Sequence, residues 1–203
     1  MLILVSGATA TVRRRRGSPG LGILFVPRDR NDPAATLWPG CTWAADNGAF
    51  SAFDADAFVA MLAKLRGRPG CRFVAAPDVV GDAGATAARF VTWAPMIRAL
   101  GFPVALVAQD GLTVAEVPWA AIDALFIGGT TDWKLGAEAR DLAGYAQTRG
   151  TWVHMGRVNS RRRLHYAERI GCSSVDGTAF SRWPDIKLTK GLDWVQPLPL
   201  FRP

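Results

Sequence analysis

Eight short apolar runs alternate with helix-like stretches along this chain, and that alternation narrows the possible folds more than any other feature. The runs lie near residues 2–5, 23–26, 42–46, 72–76, 103–108, 124–128, 152–155 and 173–176. Runs of this length suit strands buried on both faces, as in a parallel sheet. Between them, Asp54 to Leu65 begins on an Asp cap and sets Phe58, Met61, Leu62 and Leu65 on one stripe. Asp82 to Leu100 stops before Gly101, and helices over 137–148 and 160–170 close at Gly150 and Gly171, the second opening on Ser160 as N-cap. Strand–helix alternation implies βαβ units, and eight strands favour a compact α/β fold, a (β/α)8 TIM-type barrel, over an open doubly wound sheet.

A single barrel domain is expected over 1–203, with an irregular amino-terminal third. Residues 7–40 hold the Arg13–Arg16 run, several Gly and Pro, and no clean helical pattern, so the first crossover is expected to be a loop with solvated arginines. The tail from Gly191 is Pro-rich and is expected to cross the barrel without regular structure.

Composition excludes several classes of function. At 49% hydrophobic and 20% charged residues the chain reads as soluble and globular. A formal charge of +7 points to a polyanionic partner. Cys41, Cys71 and Cys172 are dispersed without CxxC spacing, and His154 and His165 complete no ligand set. No metal, no zinc subdomain and no cofactor are therefore expected, and the thiols suit a reducing compartment. The opening MLILVSG is too short for a signal peptide, and no run is long enough to span a membrane. A cytoplasmic protein without a membrane partner is the expectation.

Several runs break off into polar residues or Gly pairs: TWAADNG at Asp46, FVAAPD at Asp78, VALVAQDG at Gln109, ALFIGG at Gly128 and Gly129, WVHMG at Met155 and Gly156, and SSVDG at Asp176. In a parallel barrel, groups at the carboxyl ends of strands converge on one rim, where such folds keep their chemistry. A single strand-end Asp usually caps a turn or helix; three of them beside Gln109 and a Gly pair argue for a site. The Gly pair suits either a tight turn or close approach of backbone amides to a planar ligand. Arg157, Arg161, Arg162, Arg163 and Arg182 are the candidate nucleic-acid contacts, against the alternative of a solvated basic face. Trp133 and Trp183 are candidates for stacking.

The segment ADNGAF at Asp46–Phe50 resembles the DSGGFQ segment of the tRNA-guanine transglycosylase family. APD, VAQDG, FIGG, VHMG and SVDGTAFSR resemble that family's later active-site segments in the same order, over about residues 42–183. The likeness is greatest to its small DNA-directed branch, the deazapurine-DNA transglycosylases of phages and genomic islands, which also implies a bacterial cell or an infected host.

The resemblance implies that Asp176 is the nucleophile at C1′ and Asp46 the acid/base group. Asp78 would read the N1–H and 2-amino edge of guanine, Gln109 and the Gly129 amide would hold O6, and Met155 and Gly156 would line the pocket. The implied reaction replaces guanine in DNA, flipped from the duplex, with a free 7-deazaguanine such as the cyano form preQ0 or a relative. The chain departs from the family in lacking the Cys/His zinc module and in placing Asn-Gly-Ala after Asp46. Alternatives are the same exchange on tRNA, a non-catalytic module that binds a base, and a small-molecule barrel enzyme with a phosphate site at Gly128–Gly129. Oligomeric state is left open.

Overall fold

The computed structural model describes residues 1–7, 9–28 and 32–195. Its strands are β1 (Leu2–Val5), β2 (Leu21–Phe25), β3 (Trp43–Ala45), β4 (Cys71–Ala75), β5 (Val104–Ala108), β6 (Ala124–Ile127), β7 (Trp152–Met155) and β8 (Ser174–Asp176). They pair in chain order, all parallel, and β8 returns to β1 through Leu2–Ser174, Ile3–Val175 and Leu4–Asp176. The molecule is thus a closed eight-stranded parallel α/β barrel, and every expected strand is present.

Side chains alternate across the barrel wall. Leu4, Leu24, Phe73, Val107 and Phe126, with alanines 44, 75, 105 and 124, form the inner cluster. The alanines leave room for the two phenylalanine rings, which meet edge to face at 6.1 Å and fill the middle of a narrow barrel. Their strand neighbours, among them Ile3, Val5, Ile23, Val74, Ile127 and Met155, belong to the larger core beneath the helices.

That outer layer is built from α1 (Ala10–Arg14), α2 (Pro33–Thr36), α3 (Ala55–Leu65), α4 (Ala83–Ala99), α5 (Thr131–Lys134), α6 (Ala137–Thr148), α7 (Arg161–Arg169), α8 (Thr178–Arg182) and α9 (Thr189–Val195). Asp54, Asp82 and Ser160 cap α3, α4 and α7, each accepting a backbone N–H at 2.9–3.3 Å. Helix α3 buries the Phe58, Met61, Leu62 and Leu65 stripe. Fully burying each of these side chains is worth about 1.5–3 kcal/mol.

Two expectations are corrected. The amino-terminal third is not helix-free: Thr9 caps α1, and Asp32 caps α2 with Pro33 in its first turn. Arg13 and Arg14 close α1, where cations favour a helix carboxyl end, so the arginine run is only in part a loop. Gly191–Val195 is also helical, since α9 buries Leu192 and Val195 against the barrel. The rest of the tail, 196–203, lies outside the described residues. No helix among the described residues is long and apolar enough to cross a membrane.

Candidate active site

The carboxyl ends of the strands open into two adjoining spaces. A cavity of about 260 Å³ is walled by Leu4, Ser6, Leu24, Asp46, Asp176 and Thr178. A slot of about 60 Å³ is walled by Asp78, Gln109, Phe126, Gly128, Gly129 and Gly156. Asp46, Asp176, Phe50 and Arg157 border both spaces. The three strand-end carboxylates therefore do converge, with Asp46 and Asp176 at the junction and Asp78 in the slot.

The slot is wired by amides. Asn47 Nδ2 donates to Asp78 Oδ1 at 2.8 Å, and Gln109 Nε2 donates to Asp78 Oδ2 at 2.6 Å. Gln109 Oε1 accepts from the backbone N–H groups of Gly81 and Gly129 at 2.9 and 3.0 Å, which fixes the amide so that its nitrogen faces Asp78. The Gly129 N–H is thus engaged by Gln109, and the Gly128 N–H by the Ala108 carbonyl. The two glycines matter instead for space. A Cβ on Gly128 would lie 2.8 Å from Val107 Cγ1, and one on Gly129, at φ +59°, would lie 2.6 Å from Asp110 Oδ1. A Cβ on Gly156 would lie 2.6 Å from the Phe126 ring and close the slot.

Burial sets the protonation of the carboxylates. Asp46 is pushed up to about 7, first by burial and then by the negative charges of Asp176 and Asp78, against a weaker pull from the Gly48 and Asn47 amides. Burial also raises Asp78, opposed by its Asn47 bond and by Arg89 and Arg157. Asp176 is gripped from two sides. His154 Nε2 lies 2.9 Å from Oδ2, and the Arg157 N–H donates to Oδ1 at 3.2 Å.

His154 is fully buried inside the barrel against Phe73 and Phe126, and its Nδ1 lies 2.8 Å from Ser174 Oγ. The Ser174 hydroxyl oxygen in turn accepts the Trp152 indole N–H at 2.9 Å. Arg157 is the one non-glycine residue with positive φ among those described, at 59°. Its guanidinium donates to the Gly129 carbonyl and lies 4.6 Å from the centre of the Phe50 ring, 67% exposed at the lip of both spaces.

Met155 does not line the slot as expected. Strand alternation turns His154 inward and Met155 outward, where it is buried in the layer beneath the helices. The other basic candidates stand apart. Arg162 and Arg163 line a separate cleft of about 460 Å³ with Ser160 and Arg169. Arg161 reaches His165 and the Trp194 ring, and Arg182 lies 5.6 Å from the ring centre of the exposed Trp183. Trp133 packs behind Gly129 with its indole N–H on Glu138, a buttress and not a stacking platform.

Asn47, Phe50, Lys134 and His154 had no assigned part in the sequence reading. Alternation within WVHMG carries the signal for His154, whereas nothing local marks Lys134 at the end of TDWK. Among the described residues, no group of three or more His, Cys, Asp or Glu side chains is arranged to hold a metal ion.

These features define the class: an α/β barrel with a carboxylate-rich cavity at the carboxyl mouth. No protein-family model matches the chain, and no curated protein matches it. Chains of known structure do match, among them one in the crystal structure of the Amycolatopsis orientalis BexX/CysO complex. That likeness has 22% identity and a TM-score of 0.54, covering 99% of this chain and 94% of the other. At such identity it shows a shared fold alone.

Proposed function

We propose that this protein is a transglycosylase that exchanges guanine in DNA for a 7-deazaguanine base, preQ0 or a relative, through a covalent Asp176 intermediate. The observation that carries this reading is the division of labour among three converging carboxylates. Asp46 and Asp176 border the larger cavity and the slot together, while Asp78 waits in the slot bound to two amides.

The chemistry follows from that division. An Asp176 oxygen forms a bond to C1′ as the C1′–N9 bond breaks, and the departing guanine takes the electron pair and a proton from Asp46. The incoming deazaguanine returns a proton to Asp46 as its N9 attacks C1′ and expels the Asp176 carboxylate. Two displacements retain the anomeric configuration. A carboxyl group held near 7 can give and take a proton at neutral pH, which supports Asp46 as the shuttle.

Base reading is also supported. A carboxylate offers about four acceptor positions. Asp78 has committed one per oxygen, leaving capacity for the N1–H and 2-amino donors of guanine. The second Nε2 proton of Gln109 is then the donor for O6, in place of the engaged Gly129 amide. Phe50 at the lip is placed to cover the base.

DNA as the polyanion is supported by the net charge of +7 and by the exposed arginines of α1 and α7 and at Arg182. On this reading the protein works in a bacterial cell or phage-infected cytoplasm.

The test is nucleoside mass analysis after incubating the protein with duplex DNA or tRNA and free 7-cyano-7-deazaguanine. Modified deoxynucleoside is expected, with none from Asp176→Ala. Exchange into tRNA alone would move the reading to the tRNA-acting reaction. Tight DNA binding without exchange or a trapped adduct would favour a non-catalytic base-binding module.

A further inference from the structure

Lys134 is the one lysine or arginine among the described residues that is buried, at 1% exposure. Carrying an ammonium into the core is costly without compensation. Lys134 has no carboxylate partner at ion-pair distance among the described residues; its Nζ donates instead to the Gly156 carbonyl at 2.8 Å. Burial, with the positive charge of Arg157 next, pushes its amine down to about 7.

What that carbonyl belongs to gives the contact its meaning. The carbonyl of Gly156 and the N–H of Arg157 are the two ends of one peptide unit, and in a trans peptide they point in opposite directions. The N–H end donates to Asp176 Oδ1 at 3.2 Å. With the N–H so presented, Arg157 sits at φ +59°, a strained conformation for a residue with a Cβ.

We infer that Lys134 is a positioning residue for Asp176: its bond to the Gly156 carbonyl holds the Gly156–Arg157 peptide turned so that the Arg157 N–H meets the carboxylate. The hydrogen bond from Nζ also polarises that peptide and strengthens its N–H as a donor. Asp176 must face C1′ both when it attacks and when it departs, so a carboxylate free to swing would slow both halves of the exchange. This bearing on catalysis rests on the transglycosylase reading; the peptide geometry does not.

Neighbouring amides provide internal controls. Gly156 N–H donates to the Ile127 carbonyl at 3.2 Å and Val158 N–H to the Asp176 carbonyl at 2.6 Å, both through backbone bonds independent of Lys134. Amide hydrogen exchange followed by NMR should find the Arg157 amide protected in the wild-type protein; a freely exchanging amide there overturns the inference at once. In Lys134→Met, its exchange is expected to accelerate at least about tenfold while Gly156 and Val158 stay within about twofold. Equal acceleration of all three would make Lys134 a general support of the loop, and no acceleration would leave it no role.

Glycine adopts φ +59° without strain, so in an Arg157→Gly background the Lys134→Met effect on amide 157 should fall to about twofold or less. An undiminished effect there would also count against the inference. In base exchange, Lys134→Met should lower kcat about tenfold with KM for DNA within about twofold. The expected amide pattern in a wild-type protein that exchanges no base would keep the positioning role and sink the transglycosylase reading.

Discussion

At Asp46, burial sets the protonation of one carboxyl group against the stability of the fold. That carboxyl titrates near 7 when folded, against an ordinary value of 3.8, so the folded state binds the extra proton between those limits. Stability therefore falls as pH rises from about 4 to 7, and the cost of burying the charge is complete above that window. Asp46→Asn removes the cost. Thermal unfolding is expected to show the variant more stable at pH 8, by an amount on the order of a few kcal/mol, with the gain vanishing near pH 4. The same variant should lose about 10²–10⁴-fold in exchange rate, the usual contribution of a positioned proton shuttle. The strand-end carboxylates were legible in the sequence because three of them close apolar runs beside Gln109 and a Gly pair, whereas any one alone would read as a cap. His154 was less legible, since a lone histidine inside a strand declares itself only once the strand's inner face is known. The roles of Asn47 and the Gly129 amide depended on which partners the tertiary fold supplied, and no local pattern encodes that.

Among the elements, length decided what could be read. The expected helix over 137–148 coincides with α6, and α3 and α4 differ from expectation by a residue at one or both ends. Each has a cap or glycine stop and enough turns for a pattern to repeat. Helices α1, α5, α8 and α9 have four to seven residues, too few for periodicity, and are held by packing more than by propensity. Lys134 and Arg182 both sit on such short helices, which is why their surroundings were out of reach. Helix α7 owes its start to Ser160, whose hydroxyl oxygen accepts the Arg163 N–H at 3.3 Å. Ser160→Ala is expected to cost about 1 kcal/mol and lower Tm by about 2–4 °C in a chain of this size. Calorimetry would check this, and an unchanged Tm would mean that tertiary contacts alone set the start of α7.

For the molecule as a whole, the charge of +7 resides largely on exposed arginines outside the two central spaces. Binding to duplex DNA should therefore weaken steeply with salt. Replacing Arg161, Arg162 or Arg182 with Ala should reduce the log–log slope by about one for each phosphate that the arginine had neutralised. A slope unchanged in all three variants would place the DNA elsewhere. The closed barrel was legible from eight regularly spaced runs, because parallel strands need crossovers and a closed ring leaves no free edge. The last strand of that ring, β8, also bears Asp176 at its tip, paired with Leu4 of the first. A chain still emerging from the ribosome therefore lacks both the pairing that closes its ring and the carboxylate that borders both spaces until the same few residues arrive. If the proposed exchange is its reaction, an unfinished copy would have no carboxylate with which to open a glycosidic bond and leave it unrepaired.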